Sequence, residues 1–178
     1  MKAAFDQALD YTLGNEGGFA DQKFDRGGAT KFGITRATLS QWRRHPASVE
    51  DVKNLGVLEA RAIYEAWYWK PLGCDKLNHT GMAMALFDIG VVRGLDAPAK
   101  YAQQICNDNG ILLTVDGHLG PLTIWGLNAI NPVLFINAFA SKVRNGFLAI
   151  VARKPTQARF LKGWLNRAAR LKSLANRA

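Results

Sequence analysis

The sequence predicts a mainly α fold with one small β element near residues 19–34. Two features carry that expectation. Apolar side chains recur at three- and four-residue spacing in segment after segment, and those segments are bounded by capping residues, prolines and glycines in the order that starts and stops helices. Between Gly17 and Gly33 the helical period lapses and five glycines gather, which suits a looped strand or hairpin whose turns need positive φ.

Residues 3–14 form the first helix, with Phe5, Leu9, Thr12 and Leu13 on one face and Gly14 as its stop; Glu16 sits just past that stop. Thr35 caps a helix over 36–45 that ends before Pro46, and Ser48 with Asp51 approaches a capping box. Residues 57–70 carry an aromatic stripe and stop at Pro71 and Gly73. Residues 80–92 are apolar almost all round, as a buried central helix is, and Asp88 within them needs a basic partner or backbone donors. Asp96 is read as the cap of the next helix, with Pro98 in its first turn. Asp116-Gly117 makes a turn, Pro121 opens a helix that breaks at Asn131-Pro132, and two long helices near 133–153 and 156–174 finish the chain.

Composition narrows the function classes. With 178 residues and 48% hydrophobic content, the chain is one compact domain or two small packed lobes, not a disordered segment. The net charge of +9 lies in the C-terminal third: residues 117–178 hold ten basic residues and no acidic one. Some partner or surface is therefore expected to be anionic. Residues 117–141 lack charges, but glycines, asparagines and Pro132 interrupt them, so no transmembrane helix is expected. The N-terminus lacks the apolar core of a secretory signal, so synthesis in the cytoplasm is the expectation. Cys74 and Cys106 lack disulfide-scaffold or zinc spacing and are read as free thiols; His45, His79 and His118 are too scattered for a metal site.

The most specific stretch is Glu16-Gly17-Gly18-Phe19 followed by Asp25-Arg26-Gly27-Gly28-Ala29-Thr30-Lys31-Phe32-Gly33. It resembles glycoside hydrolase family 108, the phage-type N-acetylmuramidases, and the likeness continues through Ala62-Ile63-Tyr64, Trp67-Tyr68-Trp69 and Ala85-Leu86-Phe87-Asp88. Asp116-Gly117-His118-Leu119-Gly120-Pro121-Leu122-Thr123 and Phe160-Leu161-Lys162-Gly163-Trp164 resemble the peptidoglycan-binding segment that usually follows such catalytic regions. The resemblance implies a lysozyme-like α+β fold with a helical C-terminal lobe. It also implies a catalytic region over 1–93, a peptidoglycan-binding region over 94–178, and a catalytic role for Glu16.

Physical chemistry makes the same demand of Glu16, because glycosidic cleavage needs a carboxylic acid to protonate the leaving oxygen. Gly17 and Gly18 let a sugar ring approach the backbone, with Phe19 or Phe24 as a platform. Asp25 and Thr30 resemble the Asp and Thr that accompany the glutamate of T-even phage lysozyme, with one residue less before the threonine. That resemblance makes them candidates to position and deprotonate the attacking water. Of the aromatic run Tyr64, Trp67, Tyr68 and Trp69, core packing is the general expectation, with Tyr68 and Trp69 as the members that face substrate. Asp116 and Thr123 are candidate wall-binding residues by resemblance alone, their local pattern being that of a turn and a helix start.

The last helix places Phe160, Leu161, Trp164, Leu165, Ala168 and Leu171 on one face, Arg159, Lys162 and Arg170 opposite, and Arg167 at the border. The expected function is hydrolysis of the β-1,4 bond between N-acetylmuramic acid and N-acetylglucosamine by a monomer acting without metal or cofactor. Peptidoglycan is the expected partner, and nucleic acid is not, for want of a recognition motif. Lytic transglycosylase chemistry and a non-catalytic peptidoglycan-binding or structural module are the alternatives. The phage likeness further implies release from the cytoplasm through a holin-like lesion.

Overall fold

A computed structural model describes residues 4–14 and 30–177. Helix α1 spans Ala4–Gly14 and buries Phe5, Ala8, Leu9, Thr12 and Leu13. A two-stranded antiparallel hairpin follows, β1 (Thr30–Lys31) and β2 (Ile34–Thr35), with Thr30 opposite Thr35 and Lys31 opposite Ile34. Its two-residue turn has φ of 54° at Phe32 and 73° at Gly33, the left-handed pair that matches the twist of a tight hairpin. The expected β element is thus present at its C-terminal end, and residues 19–29 lie outside the described residues.

Thr35 caps α2 (Arg36–Arg43) by accepting from the Thr38 amide. Ser48 and Asp51 complete a full capping box at α3 (Val49–Lys53). Helix α4 (Val57–Tyr64) continues as a π turn over Glu65–Trp69, in which the Lys70 amide donates to the Glu65 carbonyl. That wider turn settles which aromatic is buried. Trp69, at the end of the π turn, is only 4% exposed and packs on Phe5 and Phe87, while Tyr68 meets Tyr64 at 5.8 Å. A short 3-10 turn, Cys74–Lys76, precedes the central helix.

Helix α5 (Thr80–Arg93) is capped by His79 and buries every residue from Gly81 to Gly90, as its apolar composition predicts. It packs against α1, α6 (Asp96–Asp108) and α8 (Pro132–Arg153). Asp96 is not the cap of α6: Leu95 holds that position, its side chain packed against the core, while Asp96 begins the helix and pairs with Lys100 at 2.8 Å. Helix α7 (Pro121–Ala129) leads to Asn131, which caps α8 by accepting from the Leu134 amide. Helix α9 (Ala158–Leu171) lies along α8 between 3-10 turns at Pro155–Gln157 and Lys172–Asn176.

By length and composition α8 is apolar enough to cross a membrane. Here its Phe135, Ile136, Phe139, Ala140, Val143 and Phe147 are inside the core. One continuous apolar cluster runs from Phe5 on α1 through Phe87 on α5 to Phe139 on α8 and Leu171 on α9, giving a mainly α architecture. Cys74 and Cys106 are buried free thiols, and burial pushes Cys106 up to about 11, so neither is disposed to react.

Candidate active site and its surroundings

Three elements converge at the C-terminal end of α1. Asp88, on α5, is fully buried, and Arg167, on α9, grips it with two parallel bonds, Nε to Oδ2 and Nη2 to Oδ1, each 2.9 Å. The same Nη2 reaches the Thr12 carbonyl oxygen at 3.4 Å, in the last turn of α1. The basic partner that Asp88 requires is therefore Arg167, which is 8% exposed and faces inward instead of standing at the border of an amphipathic helix. The buried, fork-shaped contact thus ties α1, which ends two residues before Glu16 in the sequence, to α5 and α9.

Glu16, Phe19, Phe24 and Asp25 lie outside the described residues. Thr30 opens β1 and is partly buried. The hairpin that holds it is tied down from two sides: the Tyr64 hydroxyl donates to the Phe32 carbonyl at 2.9 Å, and the Lys31 ammonium donates to the Lys53 carbonyl at 2.6 Å. Tyr64 thereby supports a non-glycine residue in the left-handed region, a conformation that costs on the order of 1 kcal/mol.

Of the aromatic candidates, Tyr68 is half-buried, with its phenol pushed up by burial, and Trp69 is in the core. Trp67 and Trp42, which the sequence reading did not select, are partly exposed and meet edge to face at 5.9 Å. Exposed tryptophan edges cannot be read from spacing when a π turn shifts the helix face by one residue.

Asp116 and Thr123 belong to one polar knot around buried Gln103. The Gln103 amide donates to Asp116 at 2.7 Å and to the His118 carbonyl at 2.9 Å, and it lies 3.4 Å from the Thr123 hydroxyl. Its carbonyl oxygen accepts from the Gly117 amide at 3.0 Å. Gln103 donation and the His118 amide hold the Asp116 carboxyl below its usual range. Thr123 is 5% exposed, so the knot shapes the turn that opens α7. Nearby, Leu112, Leu122 and Trp125 are exposed around an apolar recess of about 370 Å³.

Among the described residues, no group of three His, Cys, Asp or Glu side chains is placed to hold a metal ion. A further recess, of about 710 Å³, runs along α9, and its described lining includes Arg159, Phe160, Gly163, Trp164 and Arg170. It shares Arg167 with the α1 junction.

Comparison with known proteins agrees with this layout. The family model described as Glycosyl hydrolase 108 matches residues 9–94, and that described as Predicted Peptidoglycan domain matches residues 97–169. Among solved structures the chain is similar to SagA of Brucella abortus, at 30% identity and a TM-score of 0.78, over 98% of this chain and 95% of that one. No curated protein matches the chain in sequence. The helical core and these matches lead to one assignment: the chain belongs to the glycosyl hydrolase 108 family, and is a glycoside hydrolase joined to a peptidoglycan-binding region.

Proposed function

We propose that the protein is an endolysin-type muramidase that hydrolyses the β-1,4 bond between N-acetylmuramic acid and N-acetylglucosamine. The observation that carries the reading is the Glycosyl hydrolase 108 match over residues 9–94, which spans Glu16 together with Thr12 and Asp88, the two residues that Arg167 holds. Glu16 donates its proton to the bridging oxygen as the C1–O bond breaks. Asp25, with Thr30, takes a proton from a water that attacks C1 from the opposite face, inverting the anomeric centre. Phe19, Phe24 and Tyr68 supply apolar surface for the sugar rings. The region carrying Asp116 and Thr123 meets the wall, and the cationic helix α9 adds attraction to an anionic envelope. The enzyme works as a monomer and reaches the wall from the cytoplasm through a holin-like lesion.

The test is mass spectrometry of the products released from purified peptidoglycan by the wild type and by Glu16→Gln. Saturated, reducing muramic acid ends from the wild type alone support hydrolysis through Glu16. Anhydro-muramic ends move the enzyme to transglycosylase chemistry. Wall binding with no release by either protein overturns catalysis.

A further inference from the structure

The recess along α9 has a construction that neither wall adhesion nor bond cleavage requires. Arg159, Gly163, Asn166 and Arg170 recur at four, three and four residues, which puts them on one stripe of the helix. At one end a ladder of flat groups rises from the core. Phe147 stacks on Trp164 at 5.0 Å, Trp164 stacks on Phe160 at 5.8 Å, and the Arg159 guanidinium lies 4.6 Å over the Phe160 ring. Phe147 is buried and Phe160 is 43% exposed, so the ladder holds the Arg159 cation at the surface in a restricted orientation.

Between the two arginines the floor is open: a Cβ on Gly163 would have nothing within 4 Å. Among the described residues neither Arg159 nor Arg170 has a carboxylate partner, and the chain has no acidic residue after Asp116. A prepositioned guanidinium with no carboxylate partner among the described residues suits a carboxylate brought by a ligand. Eleven helical positions separate the two arginines, about 16 Å along the axis. At roughly 3.3 Å per residue, an extended peptide of about five residues spans that distance.

We infer that this groove is a subsite for the short, carboxylate-bearing peptide stem of peptidoglycan, with Arg159 and Arg170 receiving carboxylates at its two ends and the Gly163 floor admitting the backbone. The inference rests on the proposed wall substrate and adds specificity: stem-bearing strands are preferred over bare glycan. The groove shares Arg167 with the junction at the end of α1.

The test reads binding directly and so stands apart from catalysis. A fluorescein-labelled stem pentapeptide is titrated with the full-length protein, and anisotropy is compared among the wild type, Arg159→Gln, Arg170→Gln and Gly163→Leu. Gly163→Leu fills the floor while improving helix propensity, so loss of binding there is not loss of fold. Each variant is expected to weaken binding about tenfold, and amidation of the peptide carboxylates to weaken it similarly for the wild type. Equal binding by the amidated peptide, or unchanged binding by all three variants, overturns the subsite. So does equal displacement of the peptide by vesicles rich in phosphatidylglycerol, which would make the groove a general anion surface. Peptide binding retained by a protein that releases no muramic acid ends overturns the muramidase reading alone and leaves the subsite standing.

Discussion

Arg167 and Asp88, 79 residues apart in sequence, form a bidentate ion pair inside the core, and the same guanidinium reaches the carbonyl of Thr12. A carboxylate in an otherwise apolar helix is tolerable only when its counter-charge and hydrogen bonds arrive together. Arg167 supplies both, and thereby joins α9 and α5 to the helix that precedes Glu16.

Removing the cation should be costly. Arg167→Met leaves the fully buried Asp88 carboxylate without its counter-charge, and a loss of about 3–5 kcal/mol is expected. The double variant Arg167→Met with Asp88→Leu should recover much of that loss, because an apolar pair does not carry the desolvation penalty. Urea denaturation of the three proteins checks this. A single-variant loss below about 1 kcal/mol would show that the pair is not what holds α9 to α5. Activity should stay low in the double variant even where stability returns, since the tie to Thr12 is gone.

A second cluster predicts acid sensitivity at the outer face. The Arg43 guanidinium donates to both Glu59 oxygens at 2.8 Å and to Asp51 at 2.9 Å, bracing α2 against α3 and α4. Donation from Arg43 lowers Glu59, and donation from the Ser48 hydroxyl and amide, then Arg43, lowers Asp51. Carboxyls depressed in the folded state bind fewer protons than in the unfolded one. Their contribution is full above the unfolded value of about 4 and disappears as pH falls through the folded values. Thermal unfolding followed by circular dichroism should therefore give a midpoint that drops between about pH 5 and pH 2. Arg43→Gln should flatten part of that drop, and an unchanged slope would remove Arg43 from the explanation.

Burial logic made some of this legible before any coordinates. Asp88 announces its need for a partner because a lone carboxylate cannot sit in an apolar helix, yet nothing local points to Arg167, whose helical spacing alone puts it at the edge of a solvated face. Ser48 and Asp51 are legible because a capping box is a local device. Asp96 misleads for the opposite reason: tertiary packing of Leu95 decides where α6 starts. Trp69 turns inward because of a π turn that the aromatic run does not encode. Gly33 takes the positive φ expected of a turn glycine, and Phe32 takes it as well, its carbonyl held by a hydroxyl from Tyr64, 32 positions away. Of the site, the motif around Glu16 was readable as chemistry, while the groove on α9 appears only when Phe147 and Trp164 are seen to carry Phe160 and Arg159 in one stack.

The C-terminal turn should prove an integral part of the core. Gly81, in the first turn of α5, donates its amide to the Arg177 carbonyl at 3.0 Å, and Leu174 beside it is fully buried. A Cβ at Gly81 would collide with the Leu174 carbonyl oxygen, a backbone atom that cannot rotate away. Gly81→Ala must therefore displace the Lys172–Asn176 turn or the start of α5, at a cost of about 1–3 kcal/mol. Gly163→Ala is the matched control, a helical glycine whose new methyl meets nothing within 4 Å, and it should gain roughly 0.5–1 kcal/mol. Chemical denaturation of the two variants separates these signs, and limited proteolysis of Gly81→Ala should cut first within residues 172–177. Equal stability of both variants would mean that the C-terminal turn merely rests on α5 and contributes little to the fold.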